Sequence, residues 1–202
     1  MNEKGRRKMP ISLPVDIKSY TIRRGSKMEV FYPLVLNLQD KRLERNLNQT
    51  IVHQVQALID KEAGDMPSTI VEMLGSYEIK NNQRDVLSLT LSNYAYHDHA
   101  AHGMTYLKGL TFDLRNKKLC KLEDLFKAGS DYIKKLSNMV HEQIKQRDIP
   151  ILGSFTQIKP DQDFYVADKA LVIYFQLYDI TPYAFGFPMF PISVYEIWDI
   201  IV

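Results

Sequence analysis

The chain has 202 residues, 45% hydrophobic and 25% charged, with 26 Lys and Arg against 24 Asp and Glu. This balance suits one large domain, or two small joined ones, with a true core, and excludes a disordered or fibrous chain. Lys4, Arg6, Arg7 and Lys8 crowd the first eight positions beside Glu3, leaving a net charge of −1 for the rest, which excludes a broad basic face for a nucleic-acid backbone.

The basic start reads as a solvated tail over 1–19. No apolar signal segment follows it and no run is long enough to span a bilayer, so the chain as given reads as cytoplasmic. Strand signals open the fold proper at SYTI and MEVFYPLVLNL, rich in β-branched and aromatic residues, with Pro33 marking a bend or an edge. Leu43, Leu47, Ile51, Val55 and Leu58 then recur at helical spacing, with Asp40 placed to cap the start and Gly64 the end. Three strands follow, YEIKNN, DVLSLTLSNYAY and GMTYLKGLTFDL, joined by NNQRD and HDHAAHG. In the middle one Leu87, Leu89 and Leu91 alternate with Val86, Ser88 and Thr90, which predicts one buried face and one open to water.

LRNKKL is a polar turn into a short strand around the only cysteine, Cys120. A lone cysteine rules out an intrachain disulfide and a cysteine-based zinc knuckle, and alternation with Leu122 makes it a buried, inert thiol. LEDLF is a brief helical turn. A second helix is expected from Asp131 to Gln146, capped by Ser130, with Ile133, Leu136, Val140 and Ile144 inward and Pro150 beyond its end. A short strand, a turn at Asp168 and Lys169 and a buried strand come next. Pro182, Pro188 and Pro191 break up the last segment. The order predicts an α+β fold, an antiparallel sheet with two main helices packed on it.

Several motifs, in order, carry a resemblance: Ala101-His102-Gly103; Phe112-Asp113-Leu114; Leu122-Glu123-Asp124-Leu125-Phe126; Phe164-Tyr165-Val166; Leu171 to Phe175; Tyr178-Asp179-Ile180-Thr181-Pro182-Tyr183-Ala184-Phe185-Gly186; and Phe190-Pro191-Ile192. The chain resembles the uncharacterised bacterial domain family found at the C-terminus of the bacillar anti-sigma-V factor, a lysozyme receptor, and beside a peptidoglycan deacetylase. The resemblance implies a C-terminal module over 111–202 and the usual companion domain over 20–110. It also implies an extracytoplasmic setting and a partner such as cell-wall glycan or a lysozyme-like protein. Where the family has paired glycines before the histidine, this chain has His99-Ala100-Ala101, a stiffer turn.

His97, His99 and His102 fall at the spacing of a His-x-His-x-Asp-His zinc loop, with Ala101 where the aspartate belongs. They are the metal candidates of the chain. A working centre needs further ligands and an open position for water, yet the other histidines, His53 and His141, fall on expected helices. The cluster therefore reads first as a polar turn shaped by His102-Gly103. There is no nucleophile elbow, phosphate loop or dinucleotide fingerprint. Asp161 with Asp163, and Glu123 with Asp124, read as solvated loop and capping carboxylates. TPYAFGFPMF sets Tyr183, Phe185 and Phe187 at alternate positions, an aromatic strip suited to sugar rings or a protein partner, or else to core packing. The expectation is a non-catalytic binding or sensor module without a cofactor, using His102, Tyr178, Tyr183, Phe185 and Phe187. The alternatives are an intracellular structural or assembly protein of the spore or envelope, and a metal-dependent hydrolase centred on the three histidines.

Overall fold

The computed structural model describes residues 13–202, and the basic run from Lys4 to Lys8 lies outside them. Strands β1 (Asp16–Arg24) and β2 (Met28–Leu36) form an antiparallel hairpin. Helix α1 (Lys41–Ala63) follows. Its first turn is capped by Asp40, whose Oδ1 accepts from the N–H groups of Arg42 and Leu43 at 3.0 Å each, and Gly64, at φ 52°, closes its end. The expected stripe is the buried one: Leu43, Leu47, Ile51, Val55 and Leu58 all face the core.

After α1 the chain makes β3 (Ile70–Gln83), β4 (Val86–His97), β5 (Met104–Asp113) and the short β6 (Lys118–Leu119). With the first hairpin they form a six-stranded sheet in the order β1-β2-β3-β4-β5-β6. All pairs are antiparallel except β2 with β3, which run parallel at Met28 to Val30. A helical crossover between two neighbouring strands returns the chain in the same direction, and α1 is that crossover. Helix α2 (Tyr132–Gln146) and a second sheet, β7 (Phe164–Ala167), β8 (Ala170–Tyr174) and β9 (Met189–Ser193), complete the α+β architecture. The cap of α2 is Asp131, whose carboxylate accepts from the Lys134 N–H, rather than the expected Ser130.

One core lies under α1 against the large sheet, and a second gathers Leu136, Val140 and Ile144 of α2 with Ile173, Phe190 and Ile192 of the small sheet. The sequence pattern on β4 is resolved by the join between them. Leu87, Leu89 and Leu91 are buried under α1 as expected, but Ser88 and Thr90, expected to face water, are 0% and 3% exposed. The second sheet roofs them. Ser88 Oγ pairs with Thr111 Oγ1 at 2.8 Å and also accepts the Val166 N–H of β7 at 3.0 Å. The residues here are small because another strand must come close. A Cβ on Gly109 would stand 2.0 Å from the carbonyl oxygen of Phe164. Polar alternation therefore marks a hydrogen-bonded seam instead of a wet face.

Candidate functional site

The turn between β4 and β5 and the segment after β8 meet at one edge of this seam. His102 sits near the end of the turn. Its ring stacks on Tyr183 with centroids 4.1 Å apart, and Tyr178 lies 5.5 Å from Tyr183 and 6.2 Å from His102. Three of the residues singled out in the sequence are thus brought together across more than seventy positions.

Hydrogen bonds fix the cluster. His102 Nδ1 lies 2.9 Å from the Gly103 carbonyl oxygen, which can only accept, so Nδ1 carries the hydrogen. In the neutral ring Nε2 is then the acceptor, and the Tyr178 hydroxyl donates to it at 3.0 Å. The Tyr183 hydroxyl donates to the same Gly103 carbonyl at 2.8 Å. Gly103 is needed for closeness and not for a special backbone angle: a Cβ there would stand 2.1 Å from the Tyr94 ring. Tyr178 is different. It is the third residue of a turn closed by the Asp179 N–H on the Gln176 carbonyl, at φ 68°, where glycine is the usual occupant. A bulky side chain held there, 47% exposed, is a strained position at a surface aromatic cluster.

Phe185 and Phe187 do not extend the cluster as a strip. Tyr183–Phe185 form a single 3-10 turn, and Gly186, at φ 79°, swings the chain round. Phe185 stays exposed at 38%, while Phe187 packs against the small core of Leu107, Tyr165, Val172 and Tyr174.

The three histidines have separate duties. His97 is pinned by two contacts, Nε2 on the Glu62 carbonyl oxygen at 2.8 Å and Nδ1 by the Thr69 hydroxyl at 2.7 Å. His99, at φ 61° in the turn, leaves its side chain 93% exposed beside Asp98. His102 belongs to the aromatic cluster. Among the described residues no group of three His, Cys, Asp or Glu side chains is placed to hold a metal ion.

Sequence reading missed three features. Glu62 is buried, with Oε1 lacking a hydrogen-bond partner, and burial pushes its carboxyl up to about 8 against the weaker pull of the Tyr106 backbone and the Lys61 charge. No periodicity flags it, because it continues the apolar stripe of α1 with a charged residue type. A cleft also opens along the seam beside α1, lined from stretches far apart in the chain. Finally, Tyr195 and Trp198 project from the C-terminal turns at 69% and 70% exposure. Cys120, expected to be buried, is half-buried, and burial raises its thiol.

Comparison with known proteins matches residues 123–195 to the family described as a protein of unknown function (DUF3298). Among curated proteins, peptidoglycan-N-acetylmuramic acid deacetylase PdaC of Bacillus subtilis (strain 168) is 24% identical over 117 residues, 54% of this chain and 25% of that protein. The chain thus spans about a quarter of that relative's length. Two crystal structures of DUF3298 family members share the fold. That from Bacteroides fragilis has a TM-score of 0.70 at 15% identity, covering 94% of each chain, and that from Pseudomonas aeruginosa PAO1 a TM-score of 0.65 at 15%, covering 95% of each. The resemblance read from the sequence is borne out at this level: residues 123–195 match the model of the uncharacterised DUF3298 family, and part of the chain is similar to that deacetylase.

Proposed function

We propose that this chain is a non-catalytic binding module of the bacterial cell envelope, and that the face formed by His102, Tyr178 and Tyr183 meets cell-wall glycan. One observation carries the reading. Two segments far apart in sequence are bent, one through a strained residue, to gather three aromatic rings at the surface, His102 stacked on Tyr183 with Tyr178 tilted beside them. Rigid, partly exposed aromatic rings with hydroxyl and imidazole groups at their edges suit the alternating C–H faces and hydroxyls of sugars. The likeness to a protein named for peptidoglycan deacetylation supports wall glycan as the ligand class. The polar groups of the cluster are engaged with one another and with the Gly103 carbonyl, which suits a preorganised surface better than a proton-transferring one.

Calorimetric titration with soluble muropeptides, and separately with lysozyme, tests this. Binding of muropeptides that drops about tenfold or more in Tyr183→Ala supports the glycan reading. Binding of lysozyme alone moves the partner to a lysozyme-like protein, and silence against both removes the proposal.

A further inference from the structure

A cleft of about 690 Å³ runs along the seam between α1 and the loop ahead of β7. Its volume lies in the range of roughly 300–1,000 Å³ typical of small-ligand sites. One wall is the solvent side of α1, with Gln49, His53 and Gln54; the other holds Lys121, Glu123 and Asp161; Lys108, Gly109 and Leu110 of β5 form the floor.

The chemistry of these walls narrows the ligand class. Lys108 is held on Asp163 Oδ1 at 2.8 Å, and Asp163 Oδ2 takes the Gln176 amide at 2.8 Å. With Glu123 and Asp161 also present, a phosphate or other polyanion would meet three carboxylates against two lysines. An extended peptide would need to pair with the free edge of β5, but that edge is occupied. The Gln176 side chain takes both the N–H and the carbonyl of Leu107, at 3.1 and 2.7 Å. The Tyr174 hydroxyl takes the Gly109 N–H at 2.7 Å, and the Cys120 N–H takes the Thr111 carbonyl at 2.8 Å. Recognition must therefore come from side chains. The amides, imidazole and carboxylates offer donors and acceptors on both walls, while Leu119, 44% exposed, Pro160 and Phe164 add apolar surface for ring C–H groups.

We propose that this cleft is a second binding site, built for an uncharged, polyhydroxylated saccharide. It goes beyond the His102 face, from which it is separate. The Gln176 amide, in the turn that carries Tyr178, donates to Asp163 at the cleft.

The test is a two-dimensional NMR titration of the full chain with two neutral β-linked oligosaccharides, chitotetraose (fully N-acetylated) and cellotetraose. Saturable shifts at His53, Lys108 and Gly109 with either sugar, weakened about tenfold or more in the double variant Gln54→Ala, Asp161→Ala, support the site. Asp161 is exposed and Gln54 half-buried, and an unaltered spectrum before titration shows that the fold persists. Shifts confined to His102, Tyr178 and Tyr183 overturn the cleft while leaving the aromatic face standing; shifts confined to the cleft do the reverse. A neutral extended peptide moving the Lys108 to Leu110 amides as strongly as the sugars also overturns it.

Discussion

The backbone carbonyl of Glu62, in the last turn of α1, accepts the Nε2 hydrogen of His97 at 2.8 Å, tying that helix end to the end of β4. The same residue's side chain is 6% exposed and carries an oxygen without a hydrogen-bond partner. Helix, strand end and the turn leading to His102 are thus joined at a residue whose charge is costly to bury.

A pH dependence follows. The Glu62 carboxyl is raised from 4.5 to about 8 in the fold. Below pH 4.5 both folded and unfolded chains hold the proton and there is no penalty. Between 4.5 and 8 the unfolded chain releases it while the fold retains it, so stability falls as pH rises and levels off above 8. The swing is on the order of 3–5 kcal/mol. Urea unfolding from pH 5 to 9 should show the stability difference between Glu62→Gln and the parent widening with pH in favour of the variant. A difference that stays constant would show that the carboxyl is not held neutral.

Tyr178 should exchange stability for binding. Its φ of 68° suits asparagine or glycine better than an aromatic residue. Tyr178→Asn is expected to raise unfolding free energy by about 0.5–1 kcal/mol while removing the hydroxyl that donates to His102. Denaturant curves and muropeptide calorimetry on the same protein check both halves, and a destabilised variant would refute the strain.

At the seam, Gly109→Ala should cost ~3 kcal/mol or more, because the new methyl collides with the Phe164 carbonyl and not with a flexible side-chain end. Tyr174→Phe at the same place removes only the hydroxyl that satisfies the Gly109 N–H and should cost ~1–2 kcal/mol. Thermal melts of both variants test the order; equal effects would mean that the hydroxyl, and not the closeness of the strands, governs the join.

Metal content gives a further check. Protein purified without a histidine tag should hold zinc well below one equivalent, since His97, His99 and His102 each answer to different neighbours. Stoichiometric zinc by atomic emission, lost in His99→Ala, would restore the hydrolase reading.

What the sequence made legible was local. Asp40 and Gly64 bracket α1 because caps act within three residues, and the α1 stripe needs only periodicity. The buried polar face of β4 was not legible, since Ser88 and Thr90 look the same beneath water as beneath another strand; β7 arrives from about 78 positions away. Tyr183, Phe185 and Phe187 alternate in sequence but separate in space because Gly186 reverses the chain. The meeting of His102 with Tyr178 and Tyr183 was foreshadowed only as separate motifs, as no local pattern encodes a contact across 76 residues.

The closed outer border of β5 has a counterpart on the small sheet, where Gln143 of α2 and Arg147, just past its end, donate to the carbonyls of Pro191 and Met189 on β9. Among the described residues this leaves β1 as the long border of the large sheet without a second partner strand, and it is studded with Asp16, Lys18, Arg23 and Arg24. Copies crowded together would meet charge along β1, so edge-to-edge pairing there is opposed.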